Sequence, residues 1–241
     1  MKETDYIIAY FDILGTEAKQ KVLPLAFLVS QIEQFSELGL RDRSRLVIDG
    51  MVNPHLNPDG SITAGSAICV HHVDTEIFSD SNIFWCVFDH KRLELFCETC
   101  SEFFCQALIK RIPLRGGIAV GPANMDKQKR VFVGKPLTEA ISVEKAQLWV
   151  GVSFGPSFTD KSFKKSLPSD KVLFFGAHRK PGNSHLIPGI VLDWPRKFKN
   201  MFNESPVRIL SKLNTEDKYS DYYKHAIKFV KFSDDRFTKQ D

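Results

Sequence analysis

The sequence predicts an α+β fold whose core has the ferredoxin-like order βαββαβ. Three observations lead to this prediction. Short apolar runs alternate with segments in which apolar residues recur every three or four positions. Two apolar arms around a polar tip at residues 76–88 indicate a central hairpin. The chain has 241 residues, 43% of them hydrophobic, which is enough to bury a sizeable core.

The first predicted elements are a strand and a helix. The strand is the apolar segment at residues 6–14, which delivers one carboxylate, Asp12, and breaks at Gly15. Apolar residues then recur with helical spacing until about Gly39, at Leu25, Leu28, Ile32 and Phe35. An aspartate at the end of a strand has two interpretations. It caps the next helix, or it holds a metal ion beside the N–H groups of the turn.

The central hairpin follows a polar segment. Residues 41–65 are rich in Pro, Gly, Asn and Asp, so we expect a loop with little regular structure there. A strand begins within residues 66–73. The hairpin of residues 76–88 then turns near residues 80–82, and its tip carries a second carboxylate, Asp80.

Helices and strands continue to alternate through the second half of the predicted core. A long helix at residues 93–112 is stopped by Pro113, and the next strand contains the glycines of Leu114-Arg115-Gly116-Gly117-Ile118-Ala119-Val120-Gly121. Further elements are expected as a strand at 131–134, a helix at 136–149 and a strand at 150–154.

The last third of the chain continues without a linker or a repeat. We expect two strands and a charged helix there, at residues 172–175, 190–194 and 220–232. The sequence therefore predicts one domain over residues 1–241, with a core at about 5–158 and an extension at about 159–241.

Composition excludes several classes of protein. The net charge of +4 suits a polyanionic small molecule and gives only weak support for stable nucleic-acid binding. No apolar run approaches the roughly 18–20 residues of a membrane span. The acidic start, Met1-Lys2-Glu3-Thr4-Asp5, differs from a signal peptide, so we expect a cytoplasmic protein that does not bind membranes.

The five cysteines, an odd number, favour free thiols in such a protein. Cys97 and Cys100 form a C-x-x-C motif, but no second pair completes a zinc site. Apolar packing on a helix is the better interpretation of this motif, and zinc or redox chemistry is the alternative.

The predicted topology places Asp12 next to Asp80, although the two lie 68 positions apart. The first strand of a βαββαβ unit lies beside the central hairpin. Neighbouring carboxylates repel each other unless they share a cation, and hard divalent ions accept such a pair together with a carbonyl and phosphate oxygens. Ile13 would offer the carbonyl, and the N–H groups of Leu14, Gly15 and Thr16 would face phosphates. The alternative is that Asp80 only serves the turn.

Several motifs occur in an order that resembles the class III nucleotidyl cyclase domain. They are Phe11-Asp12-Ile13-Leu14-Gly15, Phe78-Ser79-Asp80, the strand at 114–121, and Gly134 followed by a helix that ends in Glu144. The resemblance covers about residues 5–158. It implies that Asp12 and Asp80 bind two Mn²⁺ or Mg²⁺ ions with the Ile13 carbonyl.

Two departures from the family's pattern bear on substrate and activity. The positions that select a purine become Glu76 and Val131, so the purine-reading pair is missing. The helix positions that carry an Asn and a transition-state Arg become Thr138 and Ser142. Either another cation replaces this arginine or the activity is lost. The candidate cations are Lys135, Arg130 and Arg115.

A cyclase core of this kind, followed by Leu192-Asp193-Trp194-Pro195-Arg196, is similar to the pyrimidine cyclases of bacterial Pycsar anti-phage systems. This resemblance implies cyclisation of UTP or CTP to cUMP or cCMP with release of pyrophosphate, and UTP is slightly favoured. It also implies a homodimer with composite active sites and a separate effector protein that senses the product.

The resulting site prediction assigns catalysis to Asp12, Asp80, Arg115 and Lys135. Nucleotide contacts are assigned to Phe11, Ile13, Leu14, Gly15, Thr16, Phe78 and Ser79. Metal binding is assigned to Asp12, Ile13 and Asp80. For Arg115 the alternative is an ion pair with an acid, and for Phe78 it is core packing. Glu144 is expected to make a structural hydrogen bond or salt bridge.

Three other functions remain open from the sequence. The missing arginine favours a nucleotide sensor without turnover. Another two-metal enzyme, such as a polymerase or a diguanylate cyclase, uses a related fold, but Phe78-Ser79-Asp80-Ser81-Asn82 differs from the diguanylate cyclase hairpin motif. Plain nucleic-acid binding is the third alternative.

Overall fold

Strand β1 (Asp5–Ile13) lies in the middle of an eight-stranded sheet. The computed structural model describes residues 4–16, 24–40, 45–51, 55–56, 62–63, 66–176, 178–214 and 217–237. Antiparallel ladders join β1 to β7 (Ser81–Val87) and to β8 (Leu114–Asp126), and β7 pairs with β6 (Asp74–Phe78). The resulting order β8-β1-β7-β6 is the ferredoxin-like order that the sequence predicts.

Two helices cover one face of this sheet. They are α1 (Leu25–Leu40) and α2 (His90–Ile109), and both agree with the predicted helices. Asp89 caps α2, since its carboxylate accepts a hydrogen bond from the N–H of Lys91 at 2.8 Å. The ring of Phe11 packs between those of Phe84 and Phe103 at centroid distances of 5.5 and 5.0 Å, which joins β1 and β7 to α2.

Helix α3 (Lys135–Ala146) packs on the opposite face of the sheet. Neighbouring residues of a strand point to opposite faces. A Cβ atom at Gly116 would meet Phe11, whereas one at Gly117 would meet the backbone of Ala140 in α3. Gly117 therefore allows α3 to lie directly against β8.

The C-terminal part of the chain extends the same sheet. Strand β9 (Val131–Gly134) pairs antiparallel with the end of β8, and β10 (Gly151–Phe154) runs parallel to β8 on the side away from β1. Beyond β10 follow β12 (Ile190–Leu192) and, at the edge, β11 (Val172–Phe174). The helices of this part are α4 (Lys161–Lys164), α5 (Trp194–Met201), α6 (Pro206–Leu213) and α7 (Ser220–Phe237).

The predicted loop at residues 41–65 is partly wrong. Strand β2 (Arg45–Met51) pairs antiparallel with β5 (Ser66–His71), and β3 (His55–Leu56) pairs with β4 (Ile62–Thr63). The Leu46-Val47-Ile48 run is too short to show a period, and its pairing with a distant strand is not visible locally. The rest of this segment lies outside the described residues.

Other differences concern element boundaries. The hairpin turns at Ser79 and Asp80, so Asp80 lies in the turn as predicted, whereas Ser81 and Asn82 belong to β7. Helix α3 ends at Ala146. The side chain of the next residue, Gln147, is used in the sheet instead: its amide donates to the Gly116 carbonyl at 2.7 Å, and its oxygen accepts from the Ser153 hydroxyl at 2.8 Å. Helices α4, α5 and α6 were not predicted.

The C-x-x-C motif packs in the core. Cys97 and Cys100 are fully buried on α2, and burial raises the pKa of the Cys97 thiol. Four cysteines are described with free thiols, at positions 86, 97, 100 and 105. In the described parts of the chain, no helix is both long and apolar enough to cross a membrane.

Candidate active site

The two predicted metal aspartates lie at the same end of the sheet. The N–H of Ile13, at the end of β1, donates to the carbonyl of Asp80 in the hairpin turn at 3.2 Å. Asp12 is paired in register with Ser81, the residue after Asp80. Burial raises the pKa of Asp12, the Arg115 guanidinium opposes this shift, and the charge of Asp80 adds to it. The fold therefore brings the two carboxylates into one electrostatic site.

Asp12 lies within a hydrogen-bond network. Its Oδ2 accepts from Nη2 of Arg115 at 3.0 Å, and its Oδ1 accepts from the Ser81 hydroxyl at 3.3 Å. Because the Ser81 proton points to the carboxylate, the Tyr10 hydroxyl donates to Ser81 at 2.7 Å. One carboxylate is thus oriented by two neighbouring strands.

Arg115 bridges two acids. The same Nη2 that contacts Asp12 lies 2.5 Å from Oε1 of Glu144 on α3. The side chain of Glu144 is only 2% exposed, and burial raises its pKa to about 7 against the opposing effect of Arg115. The structure therefore bears out the expected salt bridge of Glu144 and shows Arg115 in the acid pairing that was its alternative interpretation.

Several residues assigned to nucleotide contacts have other tasks in the structure. The Phe11 side chain is fully buried on the face opposite to Asp12, so a contact of Phe11 with the nucleotide would have to use its backbone. The N–H of Leu14 donates to the Pro113 carbonyl at 2.9 Å and is not free for a phosphate. The carbonyl of Ile13 accepts from the Thr16 hydroxyl at 3.1 Å and keeps one lone pair for another ligand.

The turn after β1 keeps the geometry that the glycine predicted. Gly15 has a φ of 83°, in the left-handed region that favours glycine. A Cβ atom at this position would lie 3.3 Å from the ring of Tyr219. Substitution at Gly15 would strain the backbone and press on that ring.

The hairpin residues differ in exposure. The Phe78 side chain is 42% exposed, and its ring lies 6.1 Å from that of Phe132, so it is available to a ligand or a partner. Ser79 has a φ of 55° in the turn. Glu76 of β6 lies 3.6 Å from Arg130. This ion pair brings the side chain of Arg130 next to β6, the first strand of the central hairpin.

Lys135 is not part of the cluster around Asp12. It lines a cavity of about 730 Å³ together with Thr4 and Tyr6 at the beginning of β1. Tyr6 lies six positions before Asp12 along the strand, which corresponds to roughly 20 Å. A catalytic role for Lys135 therefore requires a second copy of the chain. The helix position of the missing arginine, Ser142, donates to the carbonyl of Thr138 at 2.8 Å.

Three side chains of this region were not assigned from the sequence. They are Ser81, which orients Asp12, and two tyrosines of the C-terminal part, Tyr219 and Tyr222. The Arg115 Cζ atom lies 5.8 Å from the centroid of the Tyr222 ring. The only sequence signal was the group of three tyrosines at positions 219, 222 and 223 within a charged segment.

The donor set around Asp12 fits a divalent cation that brings other ligands with it. Two carboxylates and the Ile13 carbonyl are hard oxygen donors of the kind that Mg²⁺ and Mn²⁺ prefer. Among the residues that the structure describes, no group of three or more His, Cys, Asp or Glu side chains could hold a metal ion. Substrate phosphates and water would therefore have to complete the coordination.

Comparison with solved structures identifies the fold. Two structures of a bacterial light-regulated adenylyl cyclase match 88% of the chain, with 14% identity and a TM-score of 0.51 for one and 12% and 0.50 for the other. The chain spans 57% of the length of each. The likeness confirms the predicted α+β fold of the class III cyclase type. No family model and no curated protein matches the chain.

Proposed function

We propose that the protein is a nucleotidyl cyclase that converts a pyrimidine nucleoside triphosphate to its 3′,5′-cyclic monophosphate and pyrophosphate. UTP is the favoured substrate and CTP the alternative. The product would act in the cytoplasm as an antiviral second messenger that a separate effector protein binds. The observation that carries the proposal is the placement of Asp12 beside Asp80 on a cyclase-type fold.

The proposed reaction is an in-line displacement at the α-phosphorus. The ribose 3′-oxygen forms a bond to this phosphorus, the bond to the bridging oxygen of pyrophosphate breaks, and the hydroxyl proton leaves to water. Asp12, Asp80 and the Ile13 carbonyl would hold two Mn²⁺ or Mg²⁺ ions. Such ions lower the pKa of the attacking hydroxyl and neutralise charge on the triphosphate.

Among the described cations, Arg115 is the one placed against Asp12 and therefore the one best placed to meet the phosphates. Its guanidinium already lies against Asp12, at 3.0 Å. If Asp12 were engaged in holding the ions, the guanidinium of Arg115 would be free to donate to a phosphate group of the substrate, whose oxygens accept two parallel N–H bonds from an arginine. Glu144 would keep hold of the other side of Arg115 and so limit where it moves. Lys135 would contribute from the second subunit of a homodimer with composite sites.

The pyrimidine preference is inferred from the positions that read the base. Glu76 lies 3.6 Å from Arg130, and Val131 offers no polar side chain. An ion pair and an apolar group in these places do not reproduce the purine-reading residues of the family that the sequence resembles. Uracil and cytosine differ by one donor–acceptor exchange, so one side chain is enough to choose between them.

A product assay tests the function. Pure protein is incubated with each of the four nucleoside triphosphates and Mn²⁺, and the products are separated by chromatography. We expect a cyclic pyrimidine monophosphate and an equal amount of pyrophosphate. A cyclic purine product would refute the pyrimidine assignment, and absence of any product from a folded dimer would refute the cyclase assignment.

The Asp80→Ala variant identifies the site responsible. It should lose metal-dependent pyrophosphate release, because one of the two carboxylates that hold the cations is gone. Undiminished turnover by the folded, dimeric variant would remove Asp80 from the active site. Circular dichroism and gel filtration establish that the variant is folded and dimeric.

A second candidate function is a nucleotide-binding sensor without turnover. The observation in its favour is that Arg115 is held between Asp12 and Glu144, while the helix position of the transition-state arginine is Ser142. A sensor would bind a triphosphate in an equilibrium titration and release no pyrophosphate in the product assay.

A further inference from the structure

Hydrogen bonds join the beginning of α7 to the segment just before β10. The N–H of Val150 donates to the carbonyl of Tyr222 at 3.3 Å, and Nδ1 of His225 donates to the carbonyl of Leu148 at 2.7 Å. Farther along the helix, Ala226 and Phe229 are fully buried. None of these attachments uses the Tyr222 side chain, so the backbone at Tyr222 is held independently of its ring.

The Tyr222 ring lies beside the guanidinium of Arg115. Cζ of Arg115 lies 5.8 Å from its centroid, and Nζ of Lys180 lies at the same distance. Lys180 is itself tied down, because its Nζ donates to the carbonyl of Lys145 at 2.6 Å. Among the described residues, the guanidinium of Arg115 thus lies against the carboxylates of Asp12 and Glu144 and near the face of the Tyr222 ring.

A second tyrosine joins this arrangement to the turn after β1. The rings of Tyr219 and Tyr222 are 6.0 Å apart at an angle of 66°, and Tyr219 lies against Gly15. Tyr219 thus lies beside the turn that follows Asp12, and Tyr222 lies beside Arg115, which donates to Asp12. The C-terminal extension forms part of the wall around the candidate site.

We propose that Tyr222 is a positioning residue that restrains Arg115 for contact with the substrate's triphosphate. The inference rests on the proposed function. An arginine side chain has many rotamers, and confining it before binding lowers the entropy lost when it meets a phosphate. The ring limits the guanidinium to positions between Asp12 and Glu144 and remains a favourable neighbour when the cation turns to the substrate.

Two substitutions distinguish a contact of Arg115 with the aromatic face of Tyr222 from apolar packing alone. Tyr222→Leu keeps apolar bulk and has no π system, whereas Tyr222→Phe keeps the aromatic face and lacks only the hydroxyl. Arg115 would contact the phosphates in both the ground state and the transition state. We therefore expect Tyr222→Leu to raise KM for the nucleotide roughly tenfold with little change in kcat. The Tyr222→Phe variant should have the same KM as wild type.

A measurement of the side chain itself tests the positioning without turnover. In ¹⁵N-edited NMR, the Nε–H resonance of Arg115, assigned with Arg115→Lys, should be displaced by the ring current of Tyr222. The displacement should persist in Tyr222→Phe and vanish in Tyr222→Leu. Equal spectra for wild type and the Leu variant would overturn the proposed contact.

The two readouts keep the inference and the proposed function apart. If wild type forms the cyclic product and both Tyr222 variants share its KM, Tyr222 does not position Arg115 and the cyclase assignment stands. If no nucleotide is turned over but the Arg115 resonance responds as expected, the cyclase assignment fails and the restraint of Arg115 stands. A fall in kcat alone, equal in both variants, would also overturn the positioning role.

Discussion

Replacing Gly117 with alanine should destabilise the protein and disturb the candidate site together. A Cβ atom at Gly117 would lie 2.0 Å from the carbonyl oxygen of Ala140, 2.9 Å from its carbonyl carbon and 3.0 Å from the nitrogen of Glu144. All three atoms belong to the backbone of α3, so no side chain can rotate away. The helix would have to withdraw from β8 by about 1 Å or more, since carbon and oxygen do not approach within 3 Å.

The expected cost follows from the effect of overpacking in a closely packed interior, which is about 1–3 kcal/mol. Because the contact is between two backbones, we expect the upper end, about 3 kcal/mol. For a chain of this length, 1 kcal/mol changes Tm by about 2–4 °C, so Gly117→Ala should melt about 6–12 °C lower. The withdrawal of α3 should also separate Glu144 from Arg115 and lower any triphosphate affinity.

Thermal and urea unfolding followed by circular dichroism measure this effect. Gly176→Ala is the matched control, because the nearest atoms to its Cβ would be those of Arg179 at 3.9 Å, an ordinary contact. The control should unfold within about 0.5 kcal/mol of wild type. If Gly117→Ala were as stable as the control, α3 would not lie against β8 as described, and the placement of Glu144 would be wrong.

Two further predictions concern buried titratable groups. Burial raises the pKa of Glu144 from 4.5 to about 7, so the folded protein retains a proton there that the unfolded chain releases. The free energy of unfolding therefore falls as pH rises from about 4.5 to 7, and Glu144→Gln should remove this part of the fall. The measurement is the difference in Tm between about pH 5 and about pH 7.5. An equal difference for wild type and the Gln variant would contradict the raised pKa of Glu144. Cys97, Cys100 and Cys105 are fully buried, so a thiol reagent should modify them only after unfolding, and rapid modification of the native protein would show that the core around α2 is open.

Local sequence patterns were sufficient for the core elements because each of them has its own period or boundary signal. The apolar strand before Asp12, the hairpin around Asp80 and the helix that ends before Pro113 all appear in the structure. The pairing of β2 with β5 was missed, since it depends on a distant partner and not on a repeating pattern.

The sequence by itself determined that Asp12 and Asp80 share one end of the sheet, because the order βαββαβ leaves β1 only one place beside the hairpin. Only the tertiary structure decided what surrounds Asp12. Glu144 reaches Arg115 because Gly117 lets a helix from the opposite layer approach the sheet. Tyr222 reaches Arg115 because backbone contacts near residue 150 return the C-terminal helix to the site. Contacts of this kind arise from packing between elements far apart in the chain, and no local pattern encodes them.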